Sequence, residues 1–137
     1  EDRVQFIDVR DLADWMVGLC ERGDGGELNA VNEGVSWSDL LETCRDVSSS
    51  DASFVWIDGQ FLLEQGIEQW MGLPMWIEDE ADKGLHRADI YRATETGLTH
   101  RPLAETVQST LELAKTTEAA GLSSEREAAL LQAWAAR

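Results

Sequence analysis

Basic side chains are scarce: 11 Lys and Arg stand against 27 Asp and Glu, a formal charge of -16 over 137 residues. An excess of that size repels nucleic-acid phosphates and anionic membranes by long-range Coulomb force, so no nucleic-acid partner and no membrane partner is expected. A solvated acidic surface, a high-salt proteome or a basic partner would each account for it. No apolar run approaches the roughly 20 residues that cross a bilayer, and no cleavable signal pattern is present, which predicts a soluble, cytoplasmic chain. Cysteine is limited to Cys20 and Cys44. Both fall on apolar helical faces, predicting buried free thiols in a reducing compartment and no disulfide framework. The two histidines, His86 and His100, have no ligand spacing to each other or to a cysteine, which argues against zinc. Neither has a nucleophile context, which weakens a hydrolase reading.

The length suits one domain with one core, burying roughly two thirds of the unfolded surface. Residues 3–32 read as a short strand, a capped helix and a second strand at Gly26 to Asn32. Asp8 caps the helix by accepting from the Asp11 N–H, and Val9, Leu12, Ala13, Met16 and Cys20 form its apolar face. Glycines 23, 25 and 26 make the connecting turn. Ser36 and Asp39 form a capping box for a second helix with a Trp37, Leu40, Leu41, Cys44 stripe, ended by the serine cluster at 48–50. Ala52 to Ile57 is β-rich, Asp58 caps a short helix holding Phe61, Leu62 and Leu63, and Gly66 is a left-handed stop. Ala88 to Thr96 suits a helix closed by Gly97. Pro102 fits the first position of a long helix whose buried face is Leu103, Val107, Leu111 and Ala114. Ser124 and Glu127 form a capping box for a last helix ending near Trp134. Thr116 to Ser123 is a candidate hinge, which makes residues 123–137 detachable.

Several of these segments, in order, resemble a known family. Phe6-Ile7-Asp8-Val9-Arg10-Asp11-Leu12-Ala13 and, one helix later, Gly26-Glu27-Leu28-Asn29-Ala30-Val31-Asn32 resemble the opening of the C-terminal, substrate-binding half of extended short-chain dehydrogenase/reductases, the NAD-dependent epimerase/dehydratase family. Trp37-Ser38-Asp39-Leu40-Leu41, Phe54-Val55-Trp56-Ile57 and Gly97-Leu98-Thr99-His100-Arg101-Pro102-Leu103-Ala104-Glu105-Thr106, which resembles a late Gly-Leu-x-x-(basic)-Pro element, follow as in that family, so the resemblance covers nearly the whole chain. It implies an α/β chain: a partial fold of several helices with a small sheet, all of 1–137 belonging to the substrate-binding region. The family's glycine-rich cofactor turn and its tyrosine and lysine four residues apart are missing. Tyr91, the single tyrosine, has Glu95 four positions on, and the glycines at 23–26 precede an expected strand instead of opening a helix. The implied partner is therefore an N-terminal Rossmann domain that binds NAD or NADP, with no cofactor and no catalytic residue in this chain. Beginning at Glu1 directly before a strand, the chain reads as a piece separated from that lobe, inactive alone and prone to self-association through uncovered apolar surface.

In sugar-nucleotide members of that family an arginine precedes the Asp-Leu-Ala helix and binds a phosphate. Val4 stands there, and Arg3 points to the other side of the strand, which favours a neutral or apolar small-molecule substrate. The Trp70-Met71-Gly72-Leu73-Pro74-Met75-Trp76 run offers wide aromatic faces on irregular backbone. Trp70, Met71, Pro74 and Trp76 are candidate substrate contacts in a lid, or else packing against the core or the missing lobe. Gln5 is a candidate for the substrate crevice or an exposed strand residue. Arg101 is a candidate for a substrate anion or a partner of the abundant acids. Capping accounts for Asp8 and Asp11 without catalysis, and Glu78 to Asp82 reads as a solvated loop without the glycine punctuation of a calcium site. The rival reading is an independent acidic protein-interaction module using residues 70–76.

Overall fold

Four of the helices start where a short polar side chain, Asp8, Ser36, Asp58 or Ser123, accepts a backbone N–H, and these local bonds mark off elements along the chain. A computed structural model describes residues 3–114 and 120–137. In chain order the elements are β1 (Arg3–Val4), α1 (Val9–Arg22), β2 (Val35–Ser36), α2 (Trp37–Ser48), α3 (Gly59–Glu64), a 3₁₀ turn (Lys83–His86), α4 (Tyr91–Glu95), α5 (Leu103–Ala114) and α6 (Ser124–Ala135). The protein is thus a small mixed α/β chain, with six α-helices and a two-stranded sheet among the described residues. Where the sequence predicts one core, these residues form two compact units, 3–50 with 84–114 and 51–83 with 120–137. No described helix is long and apolar enough to cross a membrane.

In the first unit β1 and β2 pair antiparallel, Arg3 opposite Ser36 and Val4 opposite Val35. Val4 is completely buried while Arg3 is exposed, as strand alternation requires. Residues 26–32, expected as a strand, are irregular. A strand needs a ladder, and this segment makes a single backbone bond to the β1 extension, from the Asn32 N–H to the Phe6 carbonyl at 2.8 Å. Asp8 does cap α1, but its carboxylate accepts from the Arg10 N–H instead of the Asp11 N–H.

The core of this unit is Trp15, Ala93 and Leu98, with Ile7, Leu12, Leu19, Leu28 and Ala30 against it. The buried face of α1 is therefore Leu12, Trp15 and Leu19, about a quarter turn from the expected one. Val9, Met16 and Cys20 are exposed. Cys44 is half-buried, and burial raises the pKa of its thiol. Both cysteines are free, as expected, but neither is buried.

The Ser36 capping box forms as predicted. The hydroxyl accepts from the Asp39 N–H at 3.0 Å and donates to the Asp39 carboxylate at 2.7 Å. Helix α2 packs on α5, yet neither contains a buried residue, and Ala114 is exposed. Pro102 sits one position before α5, where its carbonyl accepts the first helical bonds. The helix expected from Ala88 begins only at Tyr91.

The second unit is built on Leu62, Ile67 and Leu130, joined by Phe61, Leu73, Trp76 and Leu122. Asp58 caps α3 by accepting from the Phe61 N–H, and Gly66 at φ 73° turns the chain after it. Ala52 to Ile57, expected as a strand, is irregular. The cap of α6 is Ser123, one residue earlier than expected. Half of the proposed hinge, 116–119, lies outside the described residues.

Between α3 and the acidic run the chain turns tightly. The Trp70 N–H reaches the Trp76 carbonyl at 3.1 Å, the Gly72 N–H reaches Glu68 at 2.8 Å, and Trp70 and Met75 adopt φ of 63° and 66°. A Cβ at position 72 would stand 2.8 Å from the Glu68 carbonyl oxygen and 3.0 Å from the Ile67 methyl. Gly72→Ala is expected to destabilise this unit by about 1–3 kcal/mol. Gly25→Ala, with nothing within 4 Å, should stay within about 0.5 kcal/mol. Denaturant unfolding read by tryptophan fluorescence compares the two, and equal midpoints would contradict the packing described.

Candidate functional site

Two segments far apart in sequence meet at the start of α1. Asp8 Oδ1 accepts from the Arg10 N–H and Nε at 2.9 Å each, while Oδ2 accepts from Arg10 Nη2 at 2.7 Å and the Thr106 hydroxyl at 2.9 Å. Three residues on, and so on a neighbouring face of the helix, Asp11 takes the Arg101 backbone N–H at 3.0 Å and its guanidinium at 2.6 and 2.7 Å. Arg101 Nε also lies 3.6 Å from Asp8, and Nη2 lies 4.0 Å from the exposed Asp14 carboxylate. One guanidinium thus serves three carboxylates.

Electrostatics follow from these contacts. The Arg10 side chain, above all, holds the Asp8 carboxyl far below the usual carboxylate range against the opposing effect of burial; the Arg10 N–H and Thr106 add to it. For Asp11, burial acts upward most strongly of any single influence, but the Arg101 side chain, its N–H and its charge together outweigh it and the pKa is lowered. Arg10 and Arg101 are correspondingly raised, first by their hydrogen bonds to Asp8 and Asp11. Both aspartates are therefore locked as carboxylates and are poor candidates for proton transfer near neutral pH.

A sign follows for acid stability. Unfolded aspartates titrate near about pH 3.9, above the folded values, so below about pH 5 the unfolded chain binds more protons and stability falls as pH falls. Above that window the contribution is complete. Denaturant midpoints measured from pH 7 to pH 3 should fall only at the acid end, and Asp11→Asn should make that fall shallower. An unchanged acid slope in the variant would contradict the assignment.

Asp8, Asp11, Arg101 and Thr106 of this ion-pair knot line a cleft of about 300 Å3 together with Phe6, Ile7, Val35 and Leu103, with Asn32 and Glu33 also lining it. Of the residues singled out in the sequence, Asp8, Asp11, His100 and the substrate candidate Arg101 line this cleft. Gln5 does not: its amide donates to the Asn32 and Ala88 carbonyls at 3.0 Å each and accepts from the Ala88 N–H at 2.7 Å, stitching three segments together. Trp70, Met71, Pro74 and Trp76 belong to the second unit. Met71 is 72% and Trp70 47% exposed, Pro74 is exposed, and Trp76 is half-buried against that unit's core. Glu33 carried no signal in the sequence, and Asn32 and Thr106 stood there only as the ends of segments of the resemblance; that the three meet depends on the fold.

One backbone N–H at the start of each of α1, α2, α3 and α6 is taken by Asp8, Ser36, Asp58 and Ser123, and Asp89 accepts from the Tyr91 N–H at α4. Among the described residues no group of three or more His, Cys, Asp or Glu could hold a metal ion. No family model, no curated protein and no solved structure matches the chain.

Proposed function

We propose that this chain is the C-terminal, substrate-binding portion of an NAD(P)-dependent reductase, epimerase or dehydratase of the extended short-chain dehydrogenase/reductase kind, inactive by itself. The observation that carries the reading is the contact between the two most informative segments of the resemblance. Asp8 and Asp11 of Phe-Ile-Asp-Val-Arg-Asp-Leu-Ala meet Arg101 of Gly-Leu-Thr-His-Arg-Pro through hydrogen bonds and ion pairs across 90 residues. Two chance matches of this length have no reason to be neighbours.

Uncovered apolar surface supports a missing wall. Val9, Met16 and Val17 are 52–72% exposed on α1, and α2 and α5 bury nothing completely. In this reading the absent N-terminal Rossmann domain covers such surface and carries the cofactor loop and the Tyr/Lys pair. The bound nicotinamide supplies hydride transfer to or from a carbonyl or hydroxyl carbon of a small molecule. The present residues select that molecule, with Arg101 of the cleft in the first unit as a contact; Trp70, Met71, Pro74 and Trp76 are candidate contacts that the second unit offers by itself. Alone, the chain self-associates through the same apolar surface.

The test is turnover. Joined to the lobe that precedes it, the chain should support nicotinamide-dependent reduction of a carbonyl compound, and alone it should show neither turnover nor tight dinucleotide binding. Activity of the isolated chain would overturn the proposal. The exposed Trp70 and Met71 favour a second reading, an independent acidic interaction module. Capture of one protein partner that is lost in Trp70→Ala, without any nicotinamide chemistry in the intact protein, would support that reading instead.

A further inference from the structure

The cleft of the first unit carries a charge balance that discriminates among ligands. Its cation, Arg101, is already matched: Asp11 lies at 2.6 Å, Asp8 at 3.6 Å and Asp14 at 4.0 Å from the guanidinium. Asp8 is saturated in turn by Arg10 and Thr106. An incoming anion would have to displace a carboxylate from Arg101 while facing two more.

Glu33 is different. It lines the same cleft, is exposed, and makes no hydrogen bond or ion pair with any described residue. Beside it, the Asn32 side-chain oxygen is used by the Phe6 and Gly34 N–H groups at 3.4 and 3.0 Å. The opposite requirement, an apolar body, is met by Phe6, Ile7, Val35 and Leu103. A formal charge of -16 adds a long-range field that draws cations toward the chain.

We propose that this cleft binds a small organic cation, an alkylamine whose ammonium pairs with Glu33 and whose short hydrocarbon lies on the apolar walls, and that it rejects anions of the same shape. The inference concerns the ligand chemistry of this unit alone and stands apart from the oxidoreductase reading, since its test uses no nicotinamide. Three isosteric probes separate the possibilities: isopentylamine, isopentanol and isovalerate, which differ in charge far more than in size.

Titrated into the isotope-labelled chain at low ionic strength and followed by amide chemical shifts, isopentylamine should perturb Glu33, Gly34 and Val35. It should bind about fivefold more tightly than the alcohol, with isovalerate the weakest of the three. Glu33 is exposed and has no partner among the described residues, so Glu33→Gln keeps the fold and should bring the amine to within about 1.5-fold of the alcohol. Shifts at those three residues that are absent, carboxylate binding equal to that of the amine, or a preference for the amine that survives in Glu33→Gln would each overturn the proposal.

Discussion

Asp8→Ala is expected to lower the stability of the first unit by about 2–4 kcal/mol. The side chain is the cap of α1, satisfying an N–H that has no helical partner, and it neutralises Arg10 while accepting from Thr106. Its removal costs the cap, leaves the Thr106 hydroxyl without its acceptor, and takes from Arg10 the carboxylate it pairs with at 2.7 Å. A shift of roughly 10–20 °C in the thermal midpoint follows for a unit of this size. Asp14→Ala is the control: that side chain is 86% exposed and lies 4.0 Å from Arg101, so it should cost less than about 0.5 kcal/mol. Comparable losses in the two variants would mean that the knot around Asp8 does not hold α1 in place.

Trp15→Ala should be at least as damaging, about 3–5 kcal/mol. Trp15 is the largest member of its core cluster and the buried residue of α1. It touches Ala93 and Leu98, and its indole N–H donates to the Thr96 carbonyl at 3.2 Å. Alanine would leave a cavity among Leu12, Leu19, Leu28 and Ala30 that short helices on either side fill poorly. Trp15→Phe should cost only about 1–2 kcal/mol. The Thr96 carbonyl still accepts from Arg22 Nη2 at 2.7 Å, so no acceptor is orphaned. Far-UV circular dichroism in urea measures both variants, and a Trp15→Ala chain with the parent midpoint would contradict the core assigned here.

What could be read in the sequence was what a few neighbouring residues decide. Asp8, Ser36 and Asp58 cap their helices because the acceptor and the N–H lie within three positions of each other, and Gly66 turns where a left-handed residue is needed. The buried face of α1 was less legible. Apolar side chains cover more than half of the helix circumference, from Leu12, Trp15 and Leu19 round to Val9, Met16 and Val17. Periodicity alone cannot choose which side meets the core. Residues 26–32 and 52–57 have strand-like composition, but a strand exists only with a partner, and both segments are irregular. The site divides in the same way. Arg101 was visible as a basic residue before a proline, whereas its pairing with Asp11 and Asp8 depends on the chain returning to α1 after 90 positions.

The central claim is that these residues form one wall of a cleft whose other wall holds the cofactor and the proton-transfer residues. Sequencing the gene upstream of Glu1 tests it most directly. The account predicts a strand leading into a glycine-rich turn that opens a helix, followed later by a tyrosine with a lysine four positions beyond it. A start codon at that point, or an unrelated domain in its place, would contradict it.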